Sequence, residues 1–411
     1  MFEISPLKGQ KALKLLSAVA KNVDVKHRLA EGLKGSMLMR ALDGAPIAYI
    51  LLGRLLAENE QELPSSLTEL FQKYCELFLG RWEIDKGLRV QKEYEVLLEG
   101  LTWLAEYMID NSLHKVAQSE VADYLKAYCK ARNIPISANE LLGRVCQRSG
   151  ILFSNGDESI GFRHRAFAEY FYARGLLKKG NVKLVAEVFD PYWVNSYFFY
   201  VGMLRDCPAV ITELADMHLS DESHRLMRLI QLGNFMLAAY LTPTETLTSC
   251  IKSIVRDSAR LYIAACDPTY PGQLRNLPTM QLLGVFSTLF REQYGYSFFQ
   301  QALSDAMLEI DDSWSKDEES AIALFLLTTA YRESGGKLRF DELIEGFGDA
   351  LPLVVKLGIG HEADRMKMLS DKVRRMEKHL RRSVTVSPAS QAFFKSLYET
   401  PVAKLPKKLM H

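Results

Sequence analysis

Helix punctuation recurs along almost the whole chain and leaves room for one short β element. Pro46 precedes Ile47-Ala48-Tyr49-Ile50-Leu51-Leu52, where a proline in a first helical turn gives up no needed hydrogen bond. Ser66-Leu67-Thr68-Glu69 is a capping box, with Leu70, Phe71, Tyr74 and Phe78 at helical spacing behind it. A helix is expected over Tyr94–Ile109, with Leu97, Leu101, Leu104 and Met108 on one face. Another should start near Ser119 and carry Val121, Tyr124, Leu125 and Tyr128. Ser137-Ala138-Asn139-Glu140 is a second capping box, and Ser149-Gly150 stops the helix it opens. Ile151–Ser154 and Ser159–Phe162 then read as two strands around the turn Asn155–Glu158. A helix resumes near His164. Helices followed by a small hairpin are the parts of a winged helix, here over residues 94–178.

From residue 181 to 357, helical stretches alternate with short loops marked by Pro191, Pro208, Pro243, Pro268, Pro271, Pro278, Gly335-Gly336 and Pro352. No strict repeat period emerges, and stacked helical pairs, an irregular α-solenoid, fit the pattern best. The fold class is therefore mainly α: a helical domain over 1–92, a winged-helix unit with a small β-hairpin over 93–180, an irregular repeat-like helical region over 181–360, and a basic C-terminal helix and tail over 361–411. Charge supports that last division. From His361 onward there are 12 Lys/Arg and 5 Asp/Glu, whereas the rest of the chain holds 39 and 45. Arg374, Arg375, Lys378, Arg381 and Arg382 form a candidate basic partner patch on an exposed helix, and Lys404–Lys408 is expected to fray.

The composition is that of a folded chain, 48% hydrophobic and 25% charged over 411 residues. A net charge of +1 gives the whole molecule no strong pull toward nucleic acid or anionic membrane. The six cysteines include no C-x-x-C pair, and they read as buried thiols in a reducing cytosol. Met1–Pro6 lacks the regions of a signal peptide. The apolar runs Ala45–Leu52 and Ala321–Leu327 are too short to cross a bilayer. A cytoplasmic location without membrane association is expected.

Phe162-Arg163-His164-Arg165-Ala166-Phe167-Ala168-Glu169-Tyr170-Phe171-Tyr172-Ala173 closely resembles F-x-H-x-x-F-x-E-[YF]-F-x-A, a winged-helix signature of NACHT-type STAND ATPases. Gly44-Ala45-Pro46 and Leu63-Pro64-Ser65-Ser66 look like elements of the helical domain that follows the NACHT core, so the resemblance covers about residues 1–180. The departure is equally plain. No G-x-x-x-x-G-K-[ST] run supplies a phosphate cradle, because Gly335-Gly336-Lys337 is followed by Leu338, and no apolar strand ends in paired acids. The chain resembles the back half of a STAND protein, whether a separate product, a split subunit, a truncation or a fragment.

The resemblance implies that His164 senses nucleotide and that Pro46 lies near the adenine, each only if a partner supplies the ATPase domain. No cofactor is expected in this chain, and ATP or ADP would come with that domain. The residue reading weighs a packed histidine, and a proline that only starts a helix, against these roles. Phe162, Phe167, Tyr170 and Phe171 read as core, with Ile151 or Phe153 as the nearest apolar partner. Glu169 reads as structural, paired with an arginine or capping a loop. Catalytic constellations are lacking: no zincin spacing follows His361-Glu362, no G-x-S-x-G exists, and Asp311-Asp312 and Glu318-Glu319 read as a solvated turn beside Lys316. An enzyme is not expected.

The leading expectation is the regulatory and sensor portion of a NACHT-type STAND signalling protein in innate immune or antiviral defence. It would recognise a trigger, such as a pathogen-derived one, through residues 181–357 and couple it to a partner ATPase through the winged helix. The alternative is a stand-alone helical protein-binding adaptor without nucleotide linkage. Nucleic acid ranks behind a protein partner: the expected wing carries Asp157 and Glu158, and only the basic C-terminus offers phosphate a surface.

Overall fold

The computed structural model describes residues 10–20, 46–58, 64–79, 88–146, 150–154, 158–313, 316–367 and 369–405. These are mainly helical, with one small antiparallel sheet. The chain divides into two compact units, residues 1–183 with 192–205, and residues 184–191 with 206–411.

In the first unit, α1 (Gln10–Ala20) packs on α2 (Pro46–Ala57), and α2 packs on α3 (Leu67–Phe78). Ser66 caps α3 by accepting the Glu69 N–H at 3.2 Å. The Glu69 carboxylate reaches one residue further back than an ordinary capping box, to the Ser65 N–H at 2.7 Å. The long α4 (Leu88–Asp110) begins six residues before the expected Tyr94. After it come β1 (Val116–Ala117), α5 (Gln118–Ala131), α6 (Ala138–Arg144), β2 (Leu152–Ser154), β3 (Ser159–Phe162) and α7 (Arg165–Lys179). The strand order β1-β3-β2, all antiparallel, completes a winged-helix topology. β1 is not foreseen from sequence, because two residues carry no alternation. Its register, Val116 opposite Ile160, ties the entry of α5 to the hairpin. The expected turn Asn155–Asp157 lies outside the described residues, while Glu158 stands at φ 57°.

The helix α8 (Val194–Leu204) packs on α7 and α3, within the first unit. Sequence reading groups it with the later helices because a loop follows residue 180. The contact that decides is a close one: a Cβ on Gly202 would stand 2.1 Å from Thr68 Oγ1, so only glycine lets α8 approach α3.

In the second unit, α9 (Pro208–Asp216), α10 (Glu222–Ala238), α11 (Thr244–Ala265), α12 (Thr279–Tyr294) and α13 (Gln300–Ser313) pack mostly on their next-but-one neighbours, as in stacked helical pairs. The order then closes around α14 (Glu318–Glu333), whose residues Ser320–Ala330 are all buried. A helix apolar on every side belongs inside a bundle, and α14 touches α11, α12, α13, α15 (Phe340–Phe347) and α16 (Leu353–Met366). Asp317 caps α14, and Glu319 pairs with Arg256 and Arg260. The acidic stretch expected to be a solvated turn is therefore a helix start; the side chains of Asp311 and Asp312 lie outside the described residues.

The basic segment packs into the second unit and is no separate appendage. It comprises α17 (Asp371–Thr385), joined to α16 through Lys367, and α18 (Pro388–Glu399). The tail then returns: the Val402 N–H donates to Leu277 O at 3.1 Å, and Val402 is buried. Lys404 is thus held in a short 3-10 turn rather than frayed, and the expected fraying of Lys407 and Lys408 lies outside the described residues. All six cysteines are free.

Candidate functional site at the winged-helix signature

β3 delivers Phe162 into the core and turns at once into α7. Arg163 fastens the turn: its N–H donates to Ile151 O at 2.9 Å and its Nε to Leu152 O at 3.0 Å. His164 is the N-cap of α7, and its Nδ1 accepts the Ala166 N–H at 3.1 Å. An imidazole nitrogen that accepts carries no proton, so the cap selects the neutral tautomer and leaves Nε2–H as an outward donor. Desolvation holds His164 below its ordinary value of 6.5, opposed by the nearby Glu169 charge. Arg163, His164 and Arg165 are all exposed. Three nitrogen-bearing side chains thus stand together at a helix N-terminus, where the helix dipole favours an anion.

Glu169 is buried, its side chain only 4% exposed, and is held by Arg165 Nε at 2.8 Å, with Asn195 Nδ2 at 3.4 Å. Arg165 also donates to Tyr192 O at 2.8 Å and lies over that ring at 4.2 Å. Tyr192 in turn donates to Ile109 O at 2.8 Å. The carboxylate therefore pins the first turn of α7, and with it the His164 cap.

Phe162, Phe167, Tyr170 and Phe171 are buried. Their ring partners come mainly from outside the hairpin. Phe167 meets Phe71 at 5.3 Å and Tyr74 at 5.8 Å, both from α3, while Phe171 meets Phe162 at 6.0 Å. Phe71 also contacts Tyr170 and, at 5.0 Å, Phe199 of α8. Phe153 is half-buried, its ring set against Gly161. Burial drives the Tyr170 hydroxyl and the Cys75 thiol well above their ordinary ranges, so neither is a ready nucleophile near neutral pH. Pro46 opens α2, half-buried, and no hydrogen bond or ring contact among the described residues links it to His164.

The sequence reading misses one aromatic feature. Trp103 stacks on Tyr107 at 5.3 Å and Tyr124 at 4.5 Å, and Arg132 lies 3.7 Å over Tyr128. Tyr124 and Tyr128 flank α5 instead of facing its core with Val121 and Leu125. Their spacing alone does not separate flank from core; Arg132, four residues after Tyr128, is the available signal. On α6, Arg144 is held by Glu93 at 3.1 Å and by Glu140. Its charge is thus answered inside the unit; Arg148 lies outside the described residues. No group of three or more potential metal ligands occurs among the described residues, and no described helix is long and apolar enough to cross a membrane.

Comparison with known families places this geometry. Residues 114–172, from β1 into α7 and including Phe162–Tyr172 of the signature, match the family model described as Novel STAND NTPase 4. The class is thus STAND. Residues 234–406 match NACHT C-terminal Helical domain 1, and together the two matches support the C-terminal region of a NACHT-type STAND protein. A search of curated proteins gives no match.

Proposed function

We propose that this chain is the regulatory and sensor portion of a NACHT-type STAND signalling protein in innate immune or antiviral defence. The second unit binds a trigger, such as a pathogen-derived protein, and the winged helix couples that event to a NACHT ATPase domain. The chain performs no catalysis and holds no cofactor of its own; ADP or ATP arrives with the ATPase domain. In the resting state His164 donates Nε2–H to a nucleotide phosphate, and Pro46 lies against the base.

The observation that carries this reading is the His164 cap. It fixes one tautomer, directs the remaining donor outward, and sits between Arg163 and Arg165 at a helix N-terminus. The test joins or mixes the chain with a NACHT ATPase domain loaded with fluorescent ADP and follows its release. His164→Ala and His164→Asn should both speed release, and Asn keeps the cap while removing the ring donor. Release unchanged in both variants would favour the protein-binding adaptor without nucleotide linkage.

A further inference from the structure

We propose that the basic face of α17 and the cleft at its N-terminal end form one docking site for an acidic segment of a partner protein, anchored by an apolar side chain. This deepens the reading of the second unit as the recognising part. Its test uses neither nucleotide nor ATPase domain, so the two can fail separately.

The first observation is uncompensated charge. The structured cations of this unit are mostly answered: Arg225 and Arg228 by Asp257, Arg291 and Arg365 by Glu362, Lys372 by Glu345. Arg374, Arg375, Lys378, Arg381 and Arg382 are all exposed, and none pairs with a carboxylate among the described residues. At 3.6 residues per turn they fall within an arc of about 120°, and from Arg374 to Arg382 the axis rises about 12 Å. Asp371 is the one acid in that arc, in the first turn. The opposite face is spent on packing through Val373 and Leu380.

The second observation is the cleft where this stripe begins, about 430 Å³ in volume. Its floor is apolar: Leu338, Phe340, Leu369 and Val373. Two exposed cations, Lys367 and Arg374, also line it. The lining acid, Asp341, accepts the Ser370 hydroxyl at 2.5 Å. Lys367 ends α16 in the left-handed conformation, φ 54°, at a position where glycine is the usual choice. A lysine that accepts backbone strain, is exposed and has no ion-pair partner among the described residues fits a charge required by a ligand.

An apolar pocket lined also by two cations and leading onto a cationic stripe matches an apolar side chain followed by carboxylates. About 12 Å accommodates roughly four extended residues at 3.3 Å each. Nucleic acid fits less well. The one aromatic side chain lining the cleft, Phe340, is buried, so no ring face is available to a base.

The test measures fluorescence anisotropy of labelled probes with the full chain. The main probe is a Gly/Ser peptide carrying one Leu followed by four Glu; the others are the same peptide with Ser for Leu, a duplex DNA and a single-stranded RNA. Arg374→Glu with Arg381→Glu should weaken the Leu peptide by about tenfold or more, and loss of Leu should weaken it by a similar factor. Lys367→Gly should weaken the peptide without lowering the melting temperature, which separates a binding role from a folding role. Peptide affinity indifferent to the charge reversals or to the Leu would overturn the proposal. So would tighter capture of the DNA or RNA by the same arginines, or no peptide binding at all.

Discussion

Phe71→Ala is the sharpest test of how the first unit is held together. Phe71 is fully buried and lies within 5.0–5.7 Å of three rings, Phe167 and Tyr170 of α7 and Phe199 of α8. Removing a buried phenylalanine costs about 3–5 kcal/mol through lost burial and the cavity left behind. Each ring pair adds about 0.5–1.5 kcal/mol beyond area. The three partners sit on two other helices that cannot collapse together onto one methyl, so the cost belongs at the upper end, about 4–5 kcal/mol. That is a large part of the whole stability of an ordinary domain, about 5–15 kcal/mol. The assay is guanidinium unfolding followed by tryptophan fluorescence, since Trp103 and Trp193 both lie in this unit. Wild type should show one transition for the unit, and the variant should shift all of it. A loss below about 2 kcal/mol, or separate transitions for α1–α3 and the winged helix, would refute the view that one aromatic cluster fuses them.

Three further outcomes are expected. The folded state holds His164 below its ordinary 6.5, so an unfolded chain takes the proton first. Stability is therefore complete above about pH 6.5 and falls on acidification toward the folded value, and His164→Asn should remove that slope in a pH series of melting curves. Arg228→Ala should destabilise the second unit by about 3–5 kcal/mol in urea unfolding, because Arg228 is buried and donates to the carbonyls of Ala215 and Met217 as well as to Asp257. Gly202→Ala should cost about 1–3 kcal/mol by pushing α8 off α3, read as a lowered melting temperature; an unchanged value would mean that the Thr68 contact yields freely.

Much of the winged helix is legible in the sequence because its signals are local. Ser66 and Ser137 mark helix starts by a bond spanning three residues, and both bonds form. Phe162, Phe167 and Phe171 are recognisable as core from spacing alone. What lies on the other side of them is not, because Phe71 approaches from nearly a hundred residues away and no periodicity encodes that distance. The same limit hides β1, whose two residues gain strand geometry only from β3. At the candidate site, sequence points to His164, yet its role as N-cap follows from a bond two residues ahead that a histidine rarely makes. The basic patch is legible as charge; the cleft beside it is not, since Leu338 and Leu369 come together only when α15 and α17 meet.

The assignment of residues 184–191 to one unit and 192–205 to the other has a consequence for inheritance. The polypeptide passes from unit to unit three times within little more than twenty residues. A recombination event at residue 180, the place a loop-based boundary suggests, would deliver a winged helix stripped of α8, with Phe71 and Tyr170 open to water where Phe199 had been. The recipient would inherit Phe199 with nothing to bury it. Only a breakpoint after Arg205 hands on the first unit intact, and even then the piece travels with Val188 and Phe189, whose partner Phe235 stays behind. Exchanging one second unit for another is therefore expected to leave its scars downstream of α8, and gene-fusion experiments should follow the same line.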